Sequence, residues 1–186
     1  MADSIKFTLD SVEEALSFHP FAPGDAELDV AANVLAGGKT SRLYKRLVYD
    51  LQVAQNVSAS QDSGQLGSQF RITVTPKPSA DAPQVALDKL KASIDEELQK
   101  LRDTPPTERE MQRVMNGQEA AFYSRMERVN GQARALTSYF AATGNPDYFN
   151  EDLARYRALS PNDITAAVRR WLPADRRLEF SVVPKK

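Results

Sequence analysis

The fold prediction depends most on residues 25–44, which read DAELDVAANVLAGGKTSRLY. Asp25 is in position to cap the start of a helix, and three apolar residues then share one face of it: Leu28, Ala32 and Leu35. Gly37 and Gly38 end this helix, because glycine adopts the left-handed conformation that is common just after a helix. Ser41 is in position to cap a second helix. The stretch therefore predicts two helices joined by a tight glycine turn.

Strand patterns lie on both sides of these helices. Apolar and polar residues alternate before them at residues 5–9 and after them at residues 69–75, and residues 54–63 show a weaker form of the same period. A closing strand is predicted near the end of the chain, where the alternating apolar residues are Leu178, Phe180 and Val182. We expect this strand to pair with the early strands and thereby bury its apolar face.

Helix patterns dominate the second half of the sequence. Residues 87–101 carry one leucine-rich face. A longer apolar face begins at the capping-box pair Thr107 and Glu110 and runs to residue 143, with a break expected near Asn130-Gly131. Its C-terminal part consists of Val129, Ala133, Leu136 and Phe140. Two shorter helices follow before the closing strand.

These patterns predict an α+β fold in one domain that spans residues 1–186. The sheet is expected to be mostly antiparallel, with helices packed on one of its faces and a helix-rich second half. No internal repeat and no glycine-rich dinucleotide motif interrupts this order of elements.

The composition excludes most common kinds of catalytic site. The chain has no cysteine and one histidine, which rules out disulfides, thiol nucleophiles and every metal motif with two histidines. Its net charge of −1 disfavours a nucleic-acid partner, and no apolar run approaches the roughly 20 residues of a membrane helix. We therefore predict no catalytic residue, cofactor or metal ligand in this chain, no nucleic-acid partner and no membrane span.

Several polar groups have an ordinary structural interpretation beside a functional one. His19 would need a positioned nucleophile to act as a base, and no G-x-S-x-G motif is present, so we interpret it as a surface or strand-end residue. Three carboxylate clusters lack calcium-loop spacing and are interpreted as solvated surfaces: Glu13-Glu14, Asp95-Glu96-Glu97 and Glu151-Asp152. The stripe of Met111, Met115 and Met126 is interpreted as core packing.

The glycine turn is the best candidate for a ligand contact. Exposed N–H groups at the start of the second helix would attract a carboxylate or a peptide carbonyl, and glycine lets the backbone approach a ligand closely. Nucleotide binding is disfavoured, because Asn33 replaces the first glycine of a phosphate loop. The predicted substrate-binding residues are Gly37, Gly38, Lys39, Ser41 and Arg42; a simple helix–helix turn is the alternative.

The same segment carries a resemblance to a known family. Phe21-Ala22-Pro23, Gly37-Gly38 and Ser41-Arg42-Leu43 resemble the non-catalytic half of the pitrilysin/insulinase-family zinc metallopeptidases. Later features agree in order over nearly the whole chain: residues 105–110 before a long helix, Gly144-Asn145-Pro146, residues 159–164 and a terminal strand at 179–184. The resemblance implies one α+β half of a two-half clamshell.

The resemblance also implies that the catalytic groups belong to another domain. In this family one half carries an inverted H-x-x-E-H motif that binds zinc and holds the general base, and the other half walls a chamber around an extended peptide. A chain with one histidine matches the second half. The expected partners are therefore an extended peptide and a homologous zinc-binding half domain, in the same precursor chain or as a separate subunit.

The resemblance sets expectations for activity and compartment as well. We expect the chain alone to be inactive and its parent protein or assembly to be a zinc metallopeptidase. The expected compartment is the bacterial periplasm or the cytoplasm, and a secreted precursor would favour the periplasm.

Two positions depart from the family pattern. Many members contribute an Arg and a Tyr to substrate binding in the pattern S-R-L-x-x-x-L-R…A-Y, and this sequence has Val48 and Gln55 there. Those two roles are not carried over. The alternative function is therefore a purely structural relative, comparable to the respiratory-complex core subunits of this superfamily.

Overall fold

A computed structural model describes residues 20–64, 67–78 and 82–182, together with the backbone of residues 5–9. Its elements follow the predicted order, with early strands, a helical second half and one returning strand. They are β1 (Ile5–Leu9), α1 (Asp25–Ala36), α2 (Arg42–Tyr44) with a π-helical continuation (Lys45–Asp50), β2 (Ala54–Asp62), β3 (Gln69–Pro76), α3 (Pro83–Asp103), α4 (Glu108–Met126), α5 (Val129–Thr143), α6 (Phe149–Arg157), α7 (Pro161–Trp171) and β4 (Leu178–Ser181).

The strands form one antiparallel sheet in the order β2-β3-β1-β4. Burial alternates along β3: Phe70, Ile72 and Val74 are buried, and the residues between them are only partly so. The buried residues belong to one apolar core with residues of α1, α3, α4 and α7. The helices therefore pack on one face of the sheet, and the predicted α+β class is confirmed.

Helix α1 lies at the centre of this core. Nine of its twelve residues are buried, instead of only the one face that we predicted. Its alanines are small enough for neighbouring elements to approach from several sides, and a helix that is apolar all round is buried all round. The helix packs against β2, α4, α6 and α7. Its two ends are consequently places where polar groups from several elements meet.

Two helix boundaries differ in detail from the predictions. Gly24, with φ 105°, is the N-cap of α1, and Asp25 is the first helical residue instead of the cap. The Asp25 carboxylate accepts a hydrogen bond from the Phe21 N–H at 3.0 Å. The long helical stretch breaks at residues 127–128, just before the predicted Asn130-Gly131.

The predicted apolar face of α5 is not buried. Val129, Leu136 and Phe140 are 82%, 44% and 62% exposed. The helix instead buries Ala135 and Tyr139, and the Tyr139 hydroxyl donates to Asp152 at 2.9 Å. Tyr139 therefore faces the interior of the protein, where hydrophobic periodicity alone had predicted Leu136 and Phe140.

Strand β4 pairs with β1 as predicted, but the prediction that its apolar face is buried is wrong. Leu178 and Phe180 are 56% and 55% exposed. Residue 7 of β1 is paired with Ile72 on one side and with Glu179 on the other, and residues paired across a sheet lie on the same face. Because Ile72 is buried under the helices, Glu179 also lies on the helix-covered face, and Leu178 and Phe180 lie on the opposite face. On the helix-covered face, the Glu179 carboxylate forms an ion pair with Lys91 of α3 at 2.8 Å.

Candidate functional site

The turn between α1 and α2 has two positions that favour glycine for different reasons. The Gly37 N–H donates to the Asn33 carbonyl at 2.8 Å, and a Cβ atom at residue 37 would lie only 2.5 Å from that oxygen. Gly38 has φ 94°, a conformation that residues with a side chain rarely adopt. The turn is therefore specified by close backbone contact at one glycine and by backbone conformation at the next. Both glycines and Lys39 are exposed.

Ser41 closes this turn from the inside. Its side chain is fully buried, and its hydroxyl donates to the Gly38 carbonyl at 2.6 Å. It occupies the N-cap position of α2, but its oxygen does not accept the capping hydrogen bond that we predicted. Ser41 thus supports the turn from below, while Gly37, Gly38 and Lys39 form its exposed surface.

Arg42 joins the turn to the start of α4. Its Nε and Nη2 groups donate to the two carboxylate oxygens of Glu110 at 2.8 and 2.9 Å. Glu110 also accepts from the Thr107 N–H at 2.8 Å and so completes the predicted capping box. The hydrogen bond from Arg42 lowers the pKa of Glu110 to about 2, against the opposing effect of burial. The pair therefore stays ionised and fixes the α2 start against α4.

Arg113 is a second support of the turn, and the sequence analysis did not single it out. Its Nη1 group donates to the Gly37 carbonyl at 3.1 Å and to the Thr40 hydroxyl at 3.0 Å. Arg113 lies three residues after Glu110 on α4, so both side chains project from the same face of that helix. This spacing is the only sequence signal that could have linked Arg113 to the turn.

An open groove of about 840 Å³ lies beside the turn, within the usual size range of ligand sites. Its walls come from the turn, α2 and its π-helical continuation, the end of α3 and the start of α4. Seven Lys or Arg side chains and three Asp or Glu side chains line it, and we call it the basic groove. Its exposed lining residues include Lys39, Thr40, Lys45, Tyr49, Lys100 and Arg109.

The predicted substrate-binding residues divide into two groups around this groove. Lys39 and Arg42 line it, although the Arg42 guanidinium is also held by Glu110. Gly37, Gly38 and Ser41 shape the turn that forms its edge. The predicted contact with substrate itself stays a prediction.

Within the part of the chain that the structure describes, the two positions that depart from the family pattern contribute no polar contact in place of the missing Arg and Tyr. Val48 is half-buried against the core. Gln55 is exposed in β2, where the pairing with β3 shifts register between Ala54 and Asn56. The polar groups near the turn therefore come from Lys39, Arg113 and their neighbours instead.

The other candidates from the sequence fall into three outcomes. His19 and the Glu13-Glu14 pair lie outside the described residues. Core packing is confirmed for Met111, which is buried, and for Met115, which packs against the core while partly buried. Met126 is only partly buried and lies outside the core cluster of the described residues, so the prediction for the methionine stripe holds only in part. The solvated interpretation is wrong for two carboxylates: Glu97 is buried beside Lys100, and Asp152 is buried among the groups described next.

A buried polar network surrounds the opposite end of α1. We call it the acidic network, and its members are Asp25, Asp29, Tyr139, Asp152, Arg155 and Tyr156. Arg155 contacts Asp25 at 2.9 Å and Asp152 at 3.1 Å through Nη2. The Tyr156 hydroxyl donates to Asp29 at 2.6 Å. The network thus joins α1 to α5 and α6 with three carboxylates around one cation.

Burial makes the acidic network resist full ionisation. Burial raises the pKa of Asp29 to about 6, and the nearby Asp25 carboxylate adds to this effect while the Tyr156 hydrogen bond opposes it. Burial also raises the pKa of Asp152. For Arg155, burial lowers the pKa, but the hydrogen bond to Asp25 and the surrounding carboxylates outweigh it and raise the pKa overall. Among the described residues, Asp152 Oδ1 and Arg155 Nε are buried without a hydrogen-bond partner. Arg155 nevertheless forms ion pairs with two of the carboxylates, and the two tyrosines donate to Asp152 and Asp29, so we assign the network a structural role.

The residues that the structure describes do not fit a zinc ion. Across the described residues, no group of three or more His, Cys, Asp or Glu side chains is placed to hold a metal. The carboxylates of the acidic network are engaged by Arg155 and the two tyrosines. Within the same described ranges, no helix is long and apolar enough to cross a membrane.

Solved structures with the same fold include known and suspected peptidases. The inactive peptidase domain of a Bordetella parapertussis protein assigned to the zinc proteases has a TM-score of 0.82 at 20% identity, with 99% of this chain and 91% of that chain covered. A protease from Helicobacter pylori has a TM-score of 0.79 at 17% identity, with 98% of this chain and 41% of that chain covered. Complex III2 from Candida albicans includes a chain with a TM-score of 0.75 at 11% identity, with 97% of this chain and 42% of that chain covered.

At these identities the structures establish the fold alone. No protein of curated function is matched by this sequence. The family model of the peptidase M16 inactive domain, however, matches residues 11–118, which is more than half of the chain. That match includes the glycine turn, the basic groove and the first part of α4. The chain therefore belongs to the peptidase M16 family, as a member of its inactive-domain type.

Proposed function

We propose that residues 1–186 form one domain that is the non-catalytic half of a zinc metalloendopeptidase. In this proposal a homologous half domain supplies the zinc ion and the general base. The present chain walls the chamber and helps to bind an extended peptide. The observation that carries the proposal is the open basic groove, built on the glycine turn of an inactive-domain family member.

The proposal rests on what one half can and cannot provide. Peptide hydrolysis at a metal needs a substrate held in a reactive geometry, in a site partly closed to water. The described residues of this chain offer a groove and a rigid turn but no metal-binding set. A second half must then supply the metal, in the same precursor chain or as a separate subunit.

Reconstitution tests this division of labour. The chain is mixed with, or joined to, a similar-sized domain that bears H-x-x-E-H, and hydrolysis of a quenched fluorescent peptide is followed. We expect no activity and no stoichiometric zinc in this chain alone, and activity only in the combined form. Equal activity of the zinc half with and without this chain would remove its role in catalysis.

The five turn residues divide into contacts and supports in this proposal. Lys39 contacts the peptide, the two glycines let the backbone approach it, and Ser41 and Arg42 hold the turn in place. In the reconstituted enzyme, Lys39→Ala and Gly38→Val are each expected to raise KM several-fold, whereas Arg128→Ala outside the groove serves as the control. If the folded Lys39 and Gly38 variants keep wild-type KM and kcat, the turn is only a connection between helices.

A purely structural role is the second candidate function. It is favoured by the similarity to a chain of Complex III2 and by Val48 and Gln55 at the family's Arg and Tyr positions. An H-x-x-E-H motif upstream in the precursor or in the adjacent reading frame would favour the peptidase. A stable assembly that shows no peptide-dependent activity would favour the structural role.

A further inference from the structure

We propose that the basic groove binds an acidic peptide segment, whose Asp or Glu carboxylates pair with those groove cations that have no carboxylate partner among the described residues. This inference deepens the proposed function, because it names the class of peptide that the non-catalytic half would select. It rests on the arrangement of charge, on the rigidity of the groove and on its shape.

The charge of the groove contrasts with that of the whole chain. Seven basic and three acidic side chains line the groove, which leaves a surplus of four positive charges. The complete chain has a net charge of −1. The groove is therefore a concave surface with a surplus of positive charge, where low-dielectric walls strengthen its attraction for an anion.

Only some of these cations are neutralised by the fold. Arg42 is paired with Glu110, Lys100 with Glu97 and Arg46 with Glu96. The remaining four are Lys39, Lys45, Arg109 and Arg113, and in the described part of the chain none of them has a carboxylate partner.

The remaining four cations are well placed to act together. Lys39, Lys45 and Arg109 are exposed and come from three different elements around the groove. Among the described residues, Arg113 donates only to uncharged oxygens of the turn and of the end of α1, so its positive charge is not cancelled. An incoming carboxylate thus meets cations whose charge the fold has left uncompensated.

The base of the groove is rigid, which lowers the entropic cost of binding. The two hydrogen bonds between Arg42 and Glu110 lock α2 to α4, and Arg113 ties the turn to the same helix. The Glu110 carboxylate also satisfies the start of α4 through Thr107. Because these contacts exist before any ligand arrives, the exposed cations are presented from a preformed surface.

The shape favours a peptide over a nucleic acid. The groove is open, holds about 840 Å³ and includes the exposed Tyr49 ring, which offers an apolar contact to a side chain between two acidic residues. Nucleic-acid binding usually requires an extended basic face, and the chain as a whole is slightly acidic. The cations also lie on separate elements around the groove instead of in one cradle around a single phosphate.

Direct binding to the complete chain tests the inference without the zinc half. The probe is a fluorescein-labelled octapeptide with four glutamates and blocked ends, compared with the same peptide in which glutamines replace the glutamates. We expect the glutamate peptide to bind at least about tenfold more tightly, and its affinity to fall steeply between 50 and 300 mM salt, because screening weakens exposed charge pairs.

Charge-matched variants locate the site. Lys39→Ala combined with Lys45→Ala is expected to weaken binding at least about tenfold. Arg128→Ala combined with Arg134→Ala removes the same charge outside the groove and is expected to change affinity less than about twofold. Equal binding of the two peptides, or equal loss in both double variants, overturns the inference. Displacement of the peptide by inorganic polyphosphate or an oligonucleotide at far lower concentration also overturns it, in favour of a phosphate ligand.

This experiment separates the inference from the proposed function. Binding of the acidic peptide by this chain, without any activity in the reconstituted pair, would contradict the peptidase role and leave the groove assignment intact. Activity in the reconstituted pair with no preference for acidic peptides would contradict the groove assignment and leave the peptidase role intact.

Discussion

The two ends of helix α1 use charged groups in opposite ways. The helix has twelve residues and is about 18 Å long. At its start, the acidic network is buried and its members bind one another. At its end, the basic groove is open, and four of its cations have no carboxylate partner in the described part of the chain. The contrast indicates that burial commits a charged group to the fold, whereas exposure leaves it available to a ligand.

Both arrangements suit the helix that joins them. Carboxylates near a helix start and cations near its end interact favourably with the helix dipole. The difference lies in solvent access. Arg155 keeps 19% of its side chain exposed and serves two carboxylates. Lys39 is exposed at the turn. The following predictions test this contrast, from the largest expected effect to the smallest.

Removing the cation of the acidic network should have the largest effect on stability. Arg155→Met leaves three carboxylates together without their positive partner, and breaking a buried ion pair in this way costs about 3–5 kcal/mol of unfolding free energy. Arg157→Met, on the same helix, removes an arginine that is 54% exposed and paired with Glu119, and a solvent-exposed pair contributes far less to stability than a buried one. Urea denaturation of both variants measures the difference. Equal stabilities would show that burial does not commit Arg155 to the fold.

A methyl group at the turn should have the next largest effect. In Gly37→Ala the new Cβ would lie 2.5 Å from the Asn33 carbonyl oxygen, so the backbone must shift at a cost of about 1–3 kcal/mol. Gly117→Ala in α4 is the control, because its Cβ would meet nothing within 4 Å, and alanine in a helix interior is favoured by about 0.5–1 kcal/mol. Thermal denaturation should move in opposite directions for the two. A neutral Gly37→Ala would mean that the turn is loosely packed.

The ion pair below the basic groove should contribute stability that depends on pH. The pKa of Glu110 is lowered from 4.5 to about 2, so its contribution is present above pH 4.5 and is lost as the pH falls through about 2. Glu110→Gln should therefore lose about 1–2 kcal/mol at pH 7 and almost nothing near pH 2. Urea denaturation across this range provides the measurement. A loss that is constant with pH would indicate a packing effect instead of a charge effect.

Ionisation of Asp29 should lower stability as the pH rises, opposite to Glu110, and its removal should have the smallest effect on the free energy of unfolding. The pKa of Asp29 is raised from 3.8 to about 6, so ionisation destabilises the folded state, and stability falls as the pH rises from about 4 to about 6. Asp29→Asn keeps an oxygen to accept the Tyr156 hydrogen bond and removes the charge. We expect it to gain about 1 kcal/mol at pH 7 and to match the wild type below pH 4. Greater stability of the wild type at pH 7 would mean that Arg155 also compensates Asp29.

The local features of the site could be predicted from the sequence. The glycine pair, the capping box of Thr107 and Glu110 and the helix break at residues 127–128 each depend on residues only a few positions apart. Such features follow from backbone sterics and from hydrogen bonds within one turn. The order of the elements and the α+β class followed in the same way from hydrophobic period, and the structure confirms both.

Faces and partners could not be predicted in the same way. Hydrophobic period identifies residues that share a face, but it does not say which face a neighbour covers. In α5 the buried residue is Tyr139 instead of Phe140, and in β4 the pairing register leaves Phe180 outside. Glu97 and Asp152 pair with Lys100 and Arg155 three residues later on their own helices. Their burial depends on which neighbouring elements cover that helix face, and the sequence pattern does not state this.

The sequence by itself determined the elements, their order, the glycine turn and the absence of cysteine and of a second histidine, because each depends on residue identity or on neighbours within a few positions. Only the tertiary structure decided which polar groups far apart in sequence were paired. Arg42 meets Glu110 across 68 positions, Arg113 meets Gly37 across 76, and Arg155 meets Asp25 across 130. These contacts depend on how whole helices dock against one another, and that docking is determined by the packed core as a unit.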